Sequence, residues 1–248
     1  MSEFEKKLLE KIEKLQKEND KLKGINPNEI PTYQYSKIKY SQLRDLVTIK
    51  QKLNKTIFDH WFKNDISLNE DIENFLKDLI KENEGLIKSY NEEDLKMYFI
   101  AFLLKKINFK LIKEEIRGFY EEPLKYKAQN FIFSGTPDFV VSKGLTYSEK
   151  PYFFIQEFKK SRENSDPEPQ LLAELISAVE LNNWKTIKGA YIVGENWNFV
   201  ILNKLEKEIY EYFVSETFNC TKIEDLKGIY KNLLFVKQEI IDMIKNKQ

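Results

Sequence analysis

Leucine falls at every seventh position near the start of the chain. Leu8, Leu15 and Leu22 occupy d when Glu5, Ile12 and Asn19 are taken as a. Leucine at d with an asparagine at a is the pattern of a two-stranded parallel coiled coil, and Glu18 at g would attract Lys23 at e across the pair. The spacing predicts an amphipathic helix over 1–24, stopped by Gly24 and Asn26-Pro27-Asn28. The seam lasts under three heptads, so a helix lying on its own domain is the alternative to a paired one.

Residues 25–90 read as a helical extension with polar joints. Ser41-Gln42-Leu43 opens one helix running towards Phe62. Ser67 with Glu70 three later has capping-box spacing and opens another, through Asp71 to Ile87. From residue 92 the texture changes. Glu92–Lys106 keeps helical apolar spacing through Leu95, Phe99, Phe102 and Leu103. Strand-like pieces follow at Asn108–Ile116, Asn130–Ser134, Asp138–Ser142 and Tyr152–Lys159. Asp166-Pro167 then starts a helix to about Leu181, with Asp as N-cap and Pro at the first position. Strands resume at Gly189–Val193, Trp197–Leu202 and Ile209–Val214, and a last amphipathic helix spans about Ile223–Ile244. The fold class is α/β: helix, three strands, helix, strands, over 91–248. The piece YFFIQEF is apolar on both faces, which calls for a sheet covered on both sides.

Composition narrows the chemistry. The 248 residues are 42% hydrophobic and 14% aromatic, enough for a sizeable core. Lys+Arg and Asp+Glu both number 40, so contact with nucleic acid has to come from a local patch. Cys220 and His60 are the sole cysteine and histidine. Disulfide scaffolds, Cys/His zinc sites and histidine-dependent triads are thereby excluded. An enzyme built from this chain runs on carboxylates, lysine, hydroxyls and metal ions. The charged N-terminus has no apolar signal region and no apolar run reaches the ~20 residues of a membrane span. A cytoplasmic protein without a membrane partner is expected.

Two carboxylates stand where apolar residues are expected. Asp138 opens Phe139-Val140-Val141, and Glu157 interrupts the end of PYFFIQEFKK. A charge in a central strand is costly unless paired or metal-bound. Glu157 and Lys159 are two apart and share a strand face. Two acids and an amine suit a divalent cation with a water-orienting lysine, and Mg²⁺ commonly takes one or two carboxylates and keeps several waters. The same residues also read as an internal Glu–Lys ion pair with Asp138 in a turn.

Pro137-Asp138, eighteen intervening residues, then Glu157-Phe158-Lys159 resembles the motif of the PD-(D/E)XK nuclease superfamily. Gln170-Leu171-Leu172-Ala173-Glu174 resembles the glutamine-containing helix of that fold. The stretches YNEEDLKMYFIAFLL, FIFSGTPDFVVSKG, DPEPQLLAELISAVELNNW and KGAYIVGENWNFVIL carry a narrower likeness to an uncharacterised bacterial group of the superfamily, over about residues 90–203. The resemblance implies a restriction-endonuclease-like core with a helical N-terminal extension. It implies Asp138 and Glu157 as metal ligands, with the Phe158 carbonyl as a third, and Mg²⁺ as the cofactor with Mn²⁺ as substitute. Lys159 would orient or deprotonate the attacking water. A glutamate from the first core helix often joins such sites; Glu93 is the first choice and Glu92 the reserve. Gln170 would contact the site or the substrate.

Lys160 and Arg162, at the end of the Glu157 strand, could reach a phosphate backbone. Lys105, Lys106, Lys110, Lys113 and Arg117 read as a second basic region or as plain solubilising charge, and Trp184, Trp197 and Tyr120 could stack on bases, although core packing is the commoner use of such rings. The expected activity is metal-dependent hydrolysis of phosphodiester bonds in nucleic acid, DNA foremost, by a homodimer joined through the N-terminal helix. The alternative is a non-catalytic nucleic-acid-binding or complex-assembly subunit.

Overall fold

The structure, a computed structural model, describes residues 30–160 and 166–246 together with Leu8, Lys11 and Leu15. Of the N-terminal leucine seam, Leu8 and Leu15 are helical and 50% and 56% exposed. Asn19, Leu22 and Arg162 lie outside the described residues.

The described chain begins with β1 (Thr32–Gln34), α1 (Tyr40–Leu46), β2 (Thr48–Lys52), α2 (Asp59–Phe62) and α3 (Glu70–Asn83). Next come α4 (Glu92–Leu95) and α5 (Ala101–Ile107), joined by a π-helical turn at Lys96–Ile100. Strands β3 (Ile116–Tyr120), β4 (Leu124–Lys127), β5 (Ile132–Gly135), β6 (Phe139–Lys143) and β7 (Glu149–Lys159) follow. The chain ends with α6 (Pro167–Asn182), β8 (Thr186–Val193), β9 (Asn196–Glu206), β10 (Ile209–Val214), β11 (Phe218–Asn219) and α7 (Ile223–Lys245).

Among the described residues the main sheet runs β2-β10-β9-β8-β7-β6-β3, with β11 on β9. Strands β3, β6 and β7 form an antiparallel meander, and α6 then carries the chain across to β8, parallel to β7. A smaller sheet, β1-β5-β4, lies off it. One face of the main sheet packs on Trp61, Leu76, Leu103, Leu233 and their neighbours from α2, α3, α5 and α7. The other face packs on α6, whose own outer side is covered by Tyr35, Leu43, Leu124 and Phe133. This sandwiching explains why α6 is apolar nearly all round rather than amphipathic. Gly189 permits the close approach: a Cβ there would stand 2.9 Å from the Ile155 carbonyl oxygen and 3.0 Å from a Leu175 methyl. Truncating buried Leu175 to Ala would cost about 2–5 kcal/mol.

The helix at Asp166-Pro167 forms as its capping chemistry predicts. The Asp166 side chain accepts the Glu168 N–H at 3.2 Å, and Asn183 closes the other end in a left-handed conformation. The last helix and the doubly buried strand β7 also match their patterns.

Several elements differ. Strand β2 occupies Thr48–Lys52, inside the helix expected to run from Ser41 to Phe62. Val47, Thr48 and Ile49 are β-branched, and pairing with β10 offers that run a sheet edge. Strand β1 likewise lies in a stretch expected to be helical only. Helix α3 is capped by Asn69, whose side chain accepts the Ile72 N–H at 3.0 Å, and not by Ser67. It ends at Asn83, before Gly85 turns the chain with φ +76°. Asn108–Ile116 is not a strand. Asn108 and Glu115 take left-handed φ of 57° and 55°, and the strand starts at Ile116. Phe102, expected in the apolar stripe, is 51% exposed, because the π turn rotates the following residues away from the earlier face. Among the described residues no helix is long and apolar enough to cross a membrane.

Candidate active site

Asp138 precedes β6 and Glu157 lies near the end of β7. The register Phe139↔Gln156 sets them side by side. The Asp138 N–H donates to Glu157 Oε1 at 3.1 Å, and the Phe158 N–H donates to Asp138 Oδ2 at 2.7 Å. Each carboxylate therefore holds the backbone that carries the other. Such bonds fix both side chains while leaving Glu157 Oε2 without a hydrogen bond.

Lys159 shares the face of Glu157, as the two-residue spacing requires. Its Nζ lies 3.8 Å from Asp138 Oδ2, 3.8 Å from Glu157 Oε2 and 3.5 Å from Glu92 Oε1. Burial pulls the Lys159 pKa down, but Asp138, Glu157 and Glu92 outweigh it and the net direction is upward. The first turn of α4 delivers Glu92, where the Asn91 side chain caps the helix by accepting the Asp94 N–H. Glu92 is thus the glutamate that reaches Lys159. Glu93, one position on, is 69% exposed and meets Lys96 at 3.3 Å.

Lys96 was not legible as a site residue. One helical turn after Glu92, its ammonium stands 2.9 Å from Asp138 Oδ1, 3.5 Å from Glu92 and 3.5 Å from Glu121. Burial works to lower its pKa, and the surrounding carboxylates, Asp138 first, raise it well above the usual lysine value. Its only sequence signal is the i, i+4 spacing from Glu92, which is common on any exposed helix. Glu121 reaches the cluster because a left-handed φ of 51° turns the chain after β3. No sequence rule marks that position.

Beneath this cluster lies a second layer. Glu157 and Glu174 are both fully buried, and one oxygen of each, Oε2, has no hydrogen-bond partner. Gln170 donates to Glu174 Oε1 at 3.2 Å, so the glutamine expected at the site reaches it through Glu174. Burial, then the charges of Glu174 and Asp138, push the Glu157 carboxyl well above the ordinary range. Burial likewise lifts Glu174 to about 8, against the lowering effect of Glu157 and Gln170 beside it. The buried Phe158 supplies its backbone to this corner, and Lys160 is exposed at the strand end.

The donor set is all hard oxygen, which suits Mg²⁺ or Mn²⁺. The bare oxygen of Glu157 and the mutual repulsion of the buried acids are features a bound cation would relieve, so the residues fit such an ion. Among the described residues no cluster of three or more His, Cys, Asp or Glu side chains is arranged to hold a metal unaided. A site here would be completed by backbone oxygen and water, the usual habit of Mg²⁺. A separate cavity of about 640 Å³, with Trp184, Lys188 and Glu239 in its wall, opens at the opposite end of β8 from Val193, the partner of Lys159.

No family model and no curated protein matches the chain. Among solved structures, the chain is similar to the DrdV–DNA complex, at 14% identity and a TM-score of 0.38 over 65% of this chain. It spans only 14% of the length of that protein. It is also similar to an alkaline exonuclease (LHK-Exo) from Laribacter hongkongensis, at 10% identity and a TM-score of 0.24, covering 84% of this chain and 97% of that one.

Proposed function

We propose that the chain is a metal-dependent nuclease that hydrolyses phosphodiester bonds of nucleic acid, DNA foremost, on a restriction-endonuclease-like core. The observation that carries this reading is the convergence of Asp138, Glu157 and Lys159 at one cleft wall, with Glu92 closing the cluster from a helix. The order helix, β3, β6, β7, α6, β8 supports the same reading, with the β4–β5 hairpin of the small sheet inserted between the first two strands.

Asp138 and Glu157 would hold the cation, with the Phe158 carbonyl as a third protein oxygen. When bound, the ion supplies a more acidic water and neutralises charge on the phosphate. Lys159 orients the attacking water by donating to it, next to the carboxylates that fix its position. Glu92 and Asp138 keep the Lys159 ammonium in place, and the crossed backbone bonds keep both acids from swinging away. Glu174 and Gln170 support Glu157 from behind.

The direct test is cleavage of labelled DNA and RNA with Mg²⁺ or Mn²⁺, with EDTA as control. Wild-type protein is expected to cleave and Lys159→Ala to be inactive with its fold intact. A wild type that cleaves neither polymer with either ion supports the non-catalytic binding subunit instead. We further propose that the N-terminal helix joins two copies through the Leu8 and Leu15 seam, both being half exposed. Light scattering should give a dimer, and a monomer for a chain lacking residues 1–24; a monomeric full-length protein overturns it.

A further inference from the structure

A second cavity, of about 750 Å³, is lined in part by Tyr120 and Phe139, the chain neighbours of Glu121 and Asp138. Its wall carries Lys105, Lys110 and Arg117 and no acidic residue. Neither lysine forms an ion pair among the described residues, and both are exposed. The Arg117 guanidinium is held over the Phe119 ring at 3.7 Å and donates to the Leu145, Gly118 and Thr146 carbonyls at 2.7, 3.3 and 3.4 Å. It is a fixed cation rather than a waving one. The chain is neutral overall, so this acid-free wall beside an acid-rich one is a local segregation of charge.

The cavity also has an aromatic ledge. Phe109 and Phe139 rings lie 6.0 Å apart, and Phe139 and Tyr120 rings 5.1 Å apart. Gly118 lets the Phe139 ring lie directly against β3, because a Cβ there would collide with it. Tyr120 remains 50% exposed. Phe139 is the residue after Asp138, and the Glu121 N–H donates to the Asp138 carbonyl at 3.3 Å. The Phe139 and Tyr120 rings lie on the sheet face opposite Glu157, so the ledge meets the acidic cluster at the end of the sheet, where Lys96 stands 2.9 Å from Asp138 and 3.5 Å from Glu121.

We propose, building on the nuclease reading above, that this cavity holds an unpaired stretch of the nucleic-acid strand whose backbone continues to Asp138 and Glu157. Lys105 and Lys110 take the phosphates, Arg117 adds a fixed positive charge to the wall, and Tyr120 stacks on a base. Stacking on a side chain needs a free base face, which a duplex offers only at its ends. A volume of this size suits one or two nucleotides and not a double helix. The sugar is not specified by these groups, so deoxyribose and ribose strands are both candidates.

The test is fluorescence anisotropy in EDTA, so that binding is read apart from cleavage. The probes are labelled oligo-dT and oligo-rU of about twelve nucleotides and a blunt duplex of equal length. Both single strands, or one of them, should bind at least about tenfold tighter than the duplex. Tyr120→Ala should weaken strand binding about five- to tenfold or more and Tyr120→Phe should restore it. Lys105→Gln and Lys110→Gln should each reduce the salt slope by about 0.7. Circular-dichroism melts confirm that each variant folds. Equal affinity for strand and duplex, or Tyr120→Ala binding like wild type, overturns the proposal. A chain that cleaves with unaltered strand binding in all these variants keeps the nuclease reading and loses the cavity. A chain that binds strands through Tyr120 but cleaves nothing does the reverse.

Discussion

Helix α6 carries three glutamates six residues apart, and the protein treats the middle one differently. Glu168 accepts the Tyr212 hydroxyl at 2.9 Å and the Tyr191 hydroxyl at 3.2 Å. Glu180 accepts Tyr210 at 2.6 Å and pairs with Lys204 at 2.7 Å. Both are saturated by the strands they face. Glu174 is buried against another carboxylate and keeps one bare oxygen. Buried polar groups are normally satisfied, because leaving one open costs about 1–3 kcal/mol. Among the three, Glu174 alone faces another carboxylate and has only the Gln170 amide as a hydrogen-bond donor. The two outer glutamates hold the layers together, and the middle one backs Glu157.

The largest effect should come from the far side of Glu157. Lys159→Ala is expected to lower the single-turnover cleavage rate by roughly 10²–10⁴-fold, the range for losing a positioned proton-handling group. The melting temperature should stay close to wild type. A loss of cleavage matched by a loss of fold would instead mark Lys159 as a structural member of an ion pair. At the saturated end of α6 the reverse is expected. Glu180→Ala strands the Lys204 ammonium and the Tyr210 hydroxyl, so stability should fall by about 3 kcal/mol in urea unfolding. Metal binding should not change.

The middle glutamate gives a result of opposite sign. Burial raises the Glu174 carboxyl from 4.5 to about 8. Between those values the unfolded chain has released this proton and the folded one has not. The group's contribution is therefore most favourable at low pH and declines as pH rises from about 4.5 to about 8, by about 1.4 kcal/mol per pH unit for one proton. Glu174→Gln should flatten this decline and stabilise the metal-free protein relative to wild type, most strongly near pH 8. Urea midpoints across pH for both proteins measure it. Parallel pH profiles would show that Glu174 is as well paired as its neighbours on the helix.

The contrast also explains what the sequence could and could not show. Asp138, Glu157 and Lys159 were legible because a charge in an apolar strand breaks a pattern, and strand alternation fixes which side chains share a face. The α6 cap was legible because Asp-Pro acts locally. The choice of Glu92 over Glu93 was not, since it depends on how α4 is rotated against β7. Lys96, Glu121 and Glu174 were hidden for the same reason: each reaches the cluster from a different element, and nothing local marks it. Strands β1 and β2 escaped notice because they are short and their pairing partners are remote in sequence, and β4 because it is only four residues long. The basic cavity mixes both cases. Its lysines were visible as a cluster, whereas the turn at Asn108 that sets them around Tyr120 was not.

The smallest expected effect belongs to Lys96. Its ammonium lies 2.9 Å from Asp138 Oδ1, an oxygen that a cation at this site would also use. An ammonium and a divalent ion repel, so holding the ion requires this lysine to shift towards Glu92, Glu93 or Glu121, each within 3.5 Å. Those alternative partners make the shift inexpensive, because the lysine exchanges one carboxylate for another without being left unpaired. Lys96→Met removes the competitor and keeps the aliphatic stem. Mn²⁺ affinity, followed by electron paramagnetic resonance of the free ion, should tighten by about three- to tenfold, the effect of about 1 kcal/mol. The same titration on Glu180→Ala should match wild type. Weaker binding in Lys96→Met would mean that Lys96 holds Asp138 in position for the ion and does not compete with it.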